Sequence, residues 1–279
     1  MRIDSHQHFW DQTSGVDYFW MPKDHPVLSR NYLPEDLRPI YDVNRFDGSV
    51  FVQAAHDDRE ADWVFGLAAR NPWILGVVAW ADLQSPQLGH RLDELQKHPK
   101  FCGIRHIVHD EPDVDWLLRP AVLDGLRELA RREIPYDLLL KPPHLPVAIE
   151  VMEKVPGLRC VIDHIAKPYI ATGVVEPWDR QIAQLASIPT MHVKLSGMIT
   201  EAKVPGWQSA DLTPYVQHVL ATFGEDRCMF GSDWPVCLLA GTWKEVLAAF
   251  TQALGAQSMD TRAKILGENC ARFYRLAAR

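Results

Sequence analysis

The chain has 279 residues, 47% of them hydrophobic and 23% charged, the balance of an ordinary globular protein. A formal net charge of −7, with acids and bases interspersed and no basic block, argues against nucleic acid or an anionic membrane as the main partner; local arginines and lysines still leave an anionic small substrate open. No apolar run is long enough to span a bilayer and no charged-then-apolar leader precedes the first strand, so a cytoplasmic protein is expected.

The first element is a short strand within Arg2–His8, where alternation of side chains turns His6 and His8 to the same side. Two imidazoles so placed can ligate a metal as neutral bases, or polarise a carbonyl as imidazolium ions. A long irregular stretch follows, from Phe9 to about Arg45, carrying Trp10, Tyr18, Trp20 and Tyr32 among four prolines. Loops of that length in a compact domain usually form a lid or a binding wall, and Pro34-Glu35-Asp36 within it reads as a helix start. From there strands and helices alternate. Strands are expected at 48–54, 74–80, 101–107, 136–141, 160–164, 192–197 and 228–233. Helices are expected at 59–70, 86–98, 121–132, 145–155, 178–187, 212–223 and 243–254, with a last one over 260–276.

Eight apolar strands, each too continuous to be one-sided, indicate a parallel sheet covered by helices. Eight strand–helix units in this length fit a single-domain α/β fold over residues 1–279, a (β/α)8 TIM-like barrel. No Gly-x-Gly-x-x-Gly or Walker-type loop follows any strand, which removes the usual nucleotide readings. Five cysteines, odd in number and widely spaced, read as reduced core thiols.

In a barrel, chemistry sits where the carboxyl ends of the strands meet their loops. The polar groups there are His6 and His8 on strand one, Arg105, His106 and His109 on and after strand four, Lys141 and His144 after strand five, Asp163 and His164 on strand six, and Asp233 on strand eight. Asp233 ends an apolar strand, where a buried carboxylate is costly unless paired or liganded. It either caps the following turn or faces His6 and His8 and takes a proton from water. His164 is either a core histidine bonded to Asp163 or a third imidazole of the site. Three histidines and one aspartate suit a single divalent zinc with an open position for water, and the same four groups can also work without metal. Arg105, Lys141 and His109 are cationic groups near the same mouth, suited to the oxygens of a polyhydroxylated or acidic substrate. Trp20, with Trp10 and Tyr32, offers an aromatic face for a sugar-like ring. No Gly-x-Ser-x-Gly elbow supports a serine nucleophile.

Asp4-Ser-His-Gln-His-Phe-Trp, Val161-Ile-Asp-His-Ile-Ala-Lys-Pro and Phe230-Gly-Ser-Asp-Trp-Pro closely resemble motifs of the amidohydrolase superfamily, in its amidohydrolase 2 branch and the group of sugar lactonases. Tyr32-Leu-Pro-Glu-Asp-Leu-Arg-Pro and Lys194-Leu-Ser-Gly add to the resemblance, which spans essentially the whole chain. It implies a distorted (β/α)8 barrel that hydrolyses a lactone ring. His6 and His8 would be the strand-one pair, His164 the later histidine and Asp233 the catalytic base. Similar enzymes include L-fucono-lactonases and L-rhamnono-lactonases, with pyrone dicarboxylate lactonases as near relatives. Two-metal members of the superfamily carry a bridging carboxylated lysine or glutamate and two later histidines. Only His164 fits as a later histidine here, and Lys141 resembles the bridge by position alone, which argues against a binuclear site.

The expected substrate is a small-molecule sugar lactone, L-fucono-1,5-lactone first. A cofactor is either not strictly required or is one divalent zinc on His6, His8, His164 and Asp233. L-rhamnono- and other aldonolactones, a pyrone dicarboxylate, and a zinc-dependent non-oxidative decarboxylation are the alternatives of the same branch. A non-catalytic scaffold barrel is a further reading, and nothing structural requires four such polar groups to converge. Homo-oligomerisation is left open by the sequence.

Overall fold

A computed structural model describes residues 1–276. Eight parallel strands follow one another around a single sheet in chain order: β1 (Ile3–Gln7), β2 (Gly48–Val52), β3 (Ile74–Ala79), β4 (Phe101–His106), β5 (Tyr136–Leu138), β6 (Cys160–Ile162), β7 (Met191–Leu195) and β8 (Cys228–Phe230). The ring closes beyond the regular part of β8, where Gln7 pairs with Trp234, His8 N–H donates to Trp234 O at 2.7 Å and Asp233 N–H donates to His6 O at 2.9 Å. The closing contacts are thus made by the very segments that carry His6, His8 and Asp233.

Among the described residues ten α-helices accompany the strands: α1 (Pro34–Asn44), α2 (Asp58–Arg70), α3 (Leu88–Gln96), α4 (Pro120–Arg131), α5 (Leu145–Lys154), α6 (Trp178–Ala186), α7 (Ser209–Phe223), α8 (Trp243–Leu254), α9 (Met259–Ala263) and α10 (Asn269–Phe273). Their buried positions recur every three or four residues, as Val122, Leu126 and Leu129 do on α4, so each helix lays one apolar stripe on the barrel. Starts follow local chemistry. The Asp57 carboxylate accepts from Arg59 N–H at α2, and Thr242 and Glu245 cap each other's backbone at α8.

Alternate strand residues face outward into the helix layer, among them Tyr136, Leu138, Val193 and Leu195. The residues between them face the axis. Ile3, Val50, Val52, Val78, Val161 and Met229 form an apolar plug, which Phe273 and Tyr274 join from the C-terminal segment. One expectation is corrected here, since the last helix is not continuous over 260–276. It passes through a wider turn at Lys264–Glu268 between α9 and α10. At Gly267 the chain runs against the N-terminus so closely that a Cβ would stand 2.2 Å from Met1 O, and the seam between the chain ends interrupts the helix. All five cysteines are buried and unpaired, and no helix among the described residues is long and apolar enough to cross a membrane.

Candidate active site

Asp4 prepares the site from below. Its Oδ1 accepts from Ser232 N–H at 2.8 Å and His6 N–H at 3.2 Å, and its Oδ2 accepts from the Tyr41 hydroxyl at 2.9 Å and the Trp243 indole at 3.1 Å. One buried carboxylate therefore ties β1 to β8 and to two helices. Above it, Asp233 Oδ1 lies 3.3 Å from Nε2 of His8 and 3.8 Å from Nε2 of both His6 and His164. The Nε2 atoms of His6 and His8 are 3.2 Å apart. Asp233, held at φ +58°, occupies the left-handed region that aspartate and asparagine tolerate better than most residues.

Each imidazole is oriented from behind. His8 donates Nδ1–H to Val52 O at 2.7 Å, and His164 Nδ1 meets Ser196 Oγ at 2.9 Å. Gly197 is what gives His164 its place, since a Cβ there would lie 2.5 Å from the ring. His6 Nδ1 lies 3.2 Å from Asp163 Oδ1 and 3.1 Å from the Lys194 ammonium, while its Nε2 lies 3.2 Å from an Arg105 N–H. A neutral ring accepts at one nitrogen only, so it can accept from Lys194 or from Arg105 but not from both.

A layer of buried charge supports these rings. Lys194 reaches Asp137 Oδ2 at 2.6 Å and Asp163 Oδ1 at 3.0 Å, the Tyr274 hydroxyl donates to Asp137, and Arg105 pairs with Asp163 Oδ2 at 3.0 Å and with Gln53. Burial drives the pKa of His6 and His164 well below the ordinary imidazole value and lowers that of His8, so all three are neutral nitrogen bases. The direction favours neutral rings over the imidazolium alternative. Burial alone would raise the pKa of Asp233, but the nearness of His164 and His8 and the Lys167 charge outweigh it, and the value lies below the ordinary carboxylate range. Asp137 goes the other way: burial raises it to about 6 in spite of Lys194.

Asp233, His8 and His164 open onto a cavity of about 120 Å³, lined also by Trp20, Arg105, His109, Asp110 and Lys167. Roughly 15 Å³ on this measure holds one water, so a small organic molecule can enter beside water. The Trp20 indole donates to Ala54 O at 2.6 Å, which fixes the ring as a wall. The structure thus brings Arg105, His109 and Trp20 to the mouth, as expected. It does not bring Lys141 there. β5 ends at Leu138, and Pro142 forces Lys141 into an extended conformation that leaves its side chain exposed outside the cavity.

Lys167 takes the place expected of Lys141, through an unusual piece of backbone. His164, Ile165, Ala166 and Lys167 all have φ between +48° and +59° and form a left-handed turn closed by Lys167 N–H on His164 O at 2.8 Å. Left-handed backbone costs roughly 1–2 kcal/mol per non-glycine residue. The turn puts Ile165 and Ala166 into the core and both His164 and Lys167 on the cavity wall.

Sequence reasoning gave no site role to Lys194, Asp137, Gln53 or Lys167, although Lys194 and Lys167 fall within the motifs that carry the resemblance. Lys194 and Asp137 had a readable signal, each being a lone charge inside an apolar strand. Gln53 and Lys167 act through positions that only the fold defines.

A second group of candidate ligands, His56, His106 and Glu111, lies at the ends of β2 and β4. Its lone pairs are already engaged: His106 Nδ1 accepts from Trp80 Nε1, His106 Nε2–H donates to Glu111 at 2.7 Å, and His56 Nε2 accepts from Ile107 N–H. The stacking of His106 between His56 and Trp116, at 3.9 and 4.1 Å, makes this cluster a wall.

The first cluster fits a metal. A zinc ion at the usual ~2.1 Å from tetrahedral donors requires them roughly 3.4 Å apart. The His6, His8 and Asp233 donor atoms stand 3.2, 3.3 and 3.8 Å apart and form one compact set, and His164 Nε2 lies 3.8 Å from Asp233 Oδ1 at its side. His6 Nε2, which such an ion would use, also lies 3.2 Å from an Arg105 N–H, so the two compete for that atom in the tautomer that leaves its lone pair free.

Residues 3–276 match the amidohydrolase family. The chain is 36% identical to an L-fucono-1,5-lactonase of Burkholderia ambifaria, covering 99% of this chain and 96% of that protein. It is 35% identical to an L-fucono-1,5-lactonase of Burkholderia multivorans, again over 99% and 96% of the two. An amidohydrolase of Burkholderia multivorans solved with bound zinc superposes with a TM-score of 0.92 at 34% identity, covering 99% of this chain and 100% of that one.

Proposed function

The chain belongs to the amidohydrolase family, and on that premise we propose that it is a lactonase that opens a sugar lactone, L-fucono-1,5-lactone to L-fuconate first among them. The observation that carries the chemistry is one ionised carboxylate oxygen, Asp233 Oδ1, set within 3.3–3.8 Å of three neutral imidazole Nε2 atoms on a cavity wall.

Asp233 takes a proton from water as that water attacks the lactone carbonyl carbon. Arg105, which lines the same cavity and whose charge is permanent, faces the developing oxyanion, where a fixed charge in a dry site is worth most. Collapse of the tetrahedral adduct breaks the ring C–O bond, and Asp233 returns its proton to the leaving hydroxyl. Water and lactone become one hydroxy acid, and the carboxylate is regenerated. His6, His8 and Asp233, with His164 beside Asp233, would hold a divalent zinc, which supplies Lewis-acid polarisation of the carbonyl when bound. Arg105 supplies positive charge without it, so zinc is not required in this reading. Trp20 forms the apolar wall against the sugar ring, and His109 meets its oxygens.

The test is hydrolysis of a panel of aldono-1,4- and 1,5-lactones, followed with a pH indicator, with and without exhaustive chelation. Rapid opening of L-fucono-1,5-lactone that survives chelation is expected. Absence of activity on every lactone would refute the proposal, and activity lost on chelation would refute its metal-independent part.

A further inference from the structure

We infer that the Lys167–Glu201 ion pair sets the substrate class of the cavity, selecting a neutral polyhydroxylated lactone over an acidic one. The inference rests on the lactonase reading above. Lys167 lines the cavity, its side chain only 14% exposed, and its ammonium is paired with Glu201 Oε1 at 2.8 Å. Glu201 comes from the loop after β7, and that loop is tied to the segment after β6 a second time by Ala171 N–H on Glu201 O at 2.9 Å. The pair is therefore held from both loops.

The charge balance of the wall follows. Both cations lining the cavity already have a carboxylate partner, Arg105 in Asp163 and Lys167 in Glu201. Two carboxylates, Asp110 and Asp233, also line it. A dianionic lactone would add two negative charges to a wall whose two cations are already paired and which carries two further carboxylates. A neutral sugar lactone asks for something else, namely a fixed donor for its ring hydroxyls. Lys167 has three N–H donors, of which Glu201 uses one, and the others are free for ring hydroxyls. The left-handed turn explains how it gets there. It sets Lys167 one turn after His164, so the group that binds hydroxyls and an imidazole 3.8 Å from Asp233 share one piece of backbone. Four consecutive residues in an unfavourable conformation are the kind of strain found where geometry is functional. An ordinary partly exposed ion pair would do none of this and would be worth little.

The test is steady-state kinetics of wild type, Lys167→Met, Lys167→Arg and Glu201→Gln on L-fucono-1,5-lactone and on the anionic 2-pyrone-4,6-dicarboxylate, with circular dichroism as a fold check. Loss of uniform binding shows in KM. Lys167→Met is expected to raise KM for the sugar lactone about tenfold or more with kcat within about threefold, and Lys167→Arg to recover part of it. Glu201→Gln leaves the ammonium uncompensated and is expected to raise the kcat/KM ratio of anionic to neutral lactone about tenfold. Unchanged KM in folded Lys167→Met, or an unchanged ratio in Glu201→Gln, overturns the inference while leaving the lactonase reading intact. A wild type that opens no lactone overturns the lactonase reading, and this inference with it.

Discussion

Removing the ammonium of Lys194 tests whether the site stands on the buried charge layer beneath it. Lys194→Met keeps the length of the side chain and its apolar stem. It leaves Asp137 and Asp163, both fully buried, without contacts of 2.6 and 3.0 Å. Breaking a buried pair by removing one partner typically costs about 3–5 kcal/mol, because the surviving charge is stranded. Two features bound the loss here. Asp163 keeps Arg105 at 3.0 Å, and Asp137 keeps the Tyr274 hydroxyl and can take up a proton. Protonation has a definite sign. Burial holds Asp137 near pH 6 even with Lys194 present, so without that charge its folded pKa rises further above the unfolded value. Between those two pKa values the native state binds the proton and the unfolded state does not, so stability falls as pH rises through the window. The deficit of the variant should accordingly be small near pH 5 and largest near pH 8, about 3–5 kcal/mol there. Urea unfolding followed by tryptophan fluorescence at the two pH values measures it, as a midpoint lowered by roughly 1 M or more at the higher pH. A deficit under about 1 kcal/mol at pH 8, or one that does not change with pH, would show that the layer contributes nothing beyond filling space.

Four further outcomes are expected. Asp233→Asn keeps a residue that tolerates the left-handed backbone at 233, so the fold should persist while turnover falls about 10²–10⁴-fold, as for loss of a general base. In wild type, because the Asp233 pKa is lowered, the acid limb of kcat/KM should lie below the ordinary carboxylate range, and a limb near neutrality would assign the base to a histidine instead. Arg105→Met frees His6 Nε2 and removes a positive charge beside it, so zinc affinity measured by chelator competition should rise at least about tenfold; unchanged affinity would mean that Arg105 and the metal do not compete. Glu60, buried with its carboxyl on the Ala54 and Ala55 N–H groups, has its pKa raised by burial to about 8. Its folded value exceeds the unfolded one, so it destabilises the native state as pH rises toward and through 8. Glu60→Gln should therefore gain in melting temperature relative to wild type as pH rises from about 5 to about 8, and a difference that does not change with pH would show that the native state does not hold this carboxyl protonated.

Much of the architecture was legible in the residues themselves. Eight apolar runs of strand length, each closed by turn signals and followed by an amphipathic stretch, admit little but a helix-covered parallel barrel. The end of each run then marks where chemistry sits. His6, His8, His164 and Asp233 could be read because a polar group at the end of an apolar strand has few structural uses. Other features were settled only when the ring closed. Whether Lys141 or Lys167 reaches the mouth depends on how far β5 extends and on a left-handed turn after β6, and no local propensity favours four such residues in a row. The pairing of Lys194 with Asp137 and Asp163 joins residues 57 and 31 positions apart along the chain, across three neighbouring strands. Sequence carries the identity of each charge, but its partner, and so its protonation and its role, is fixed by which strands come to lie side by side.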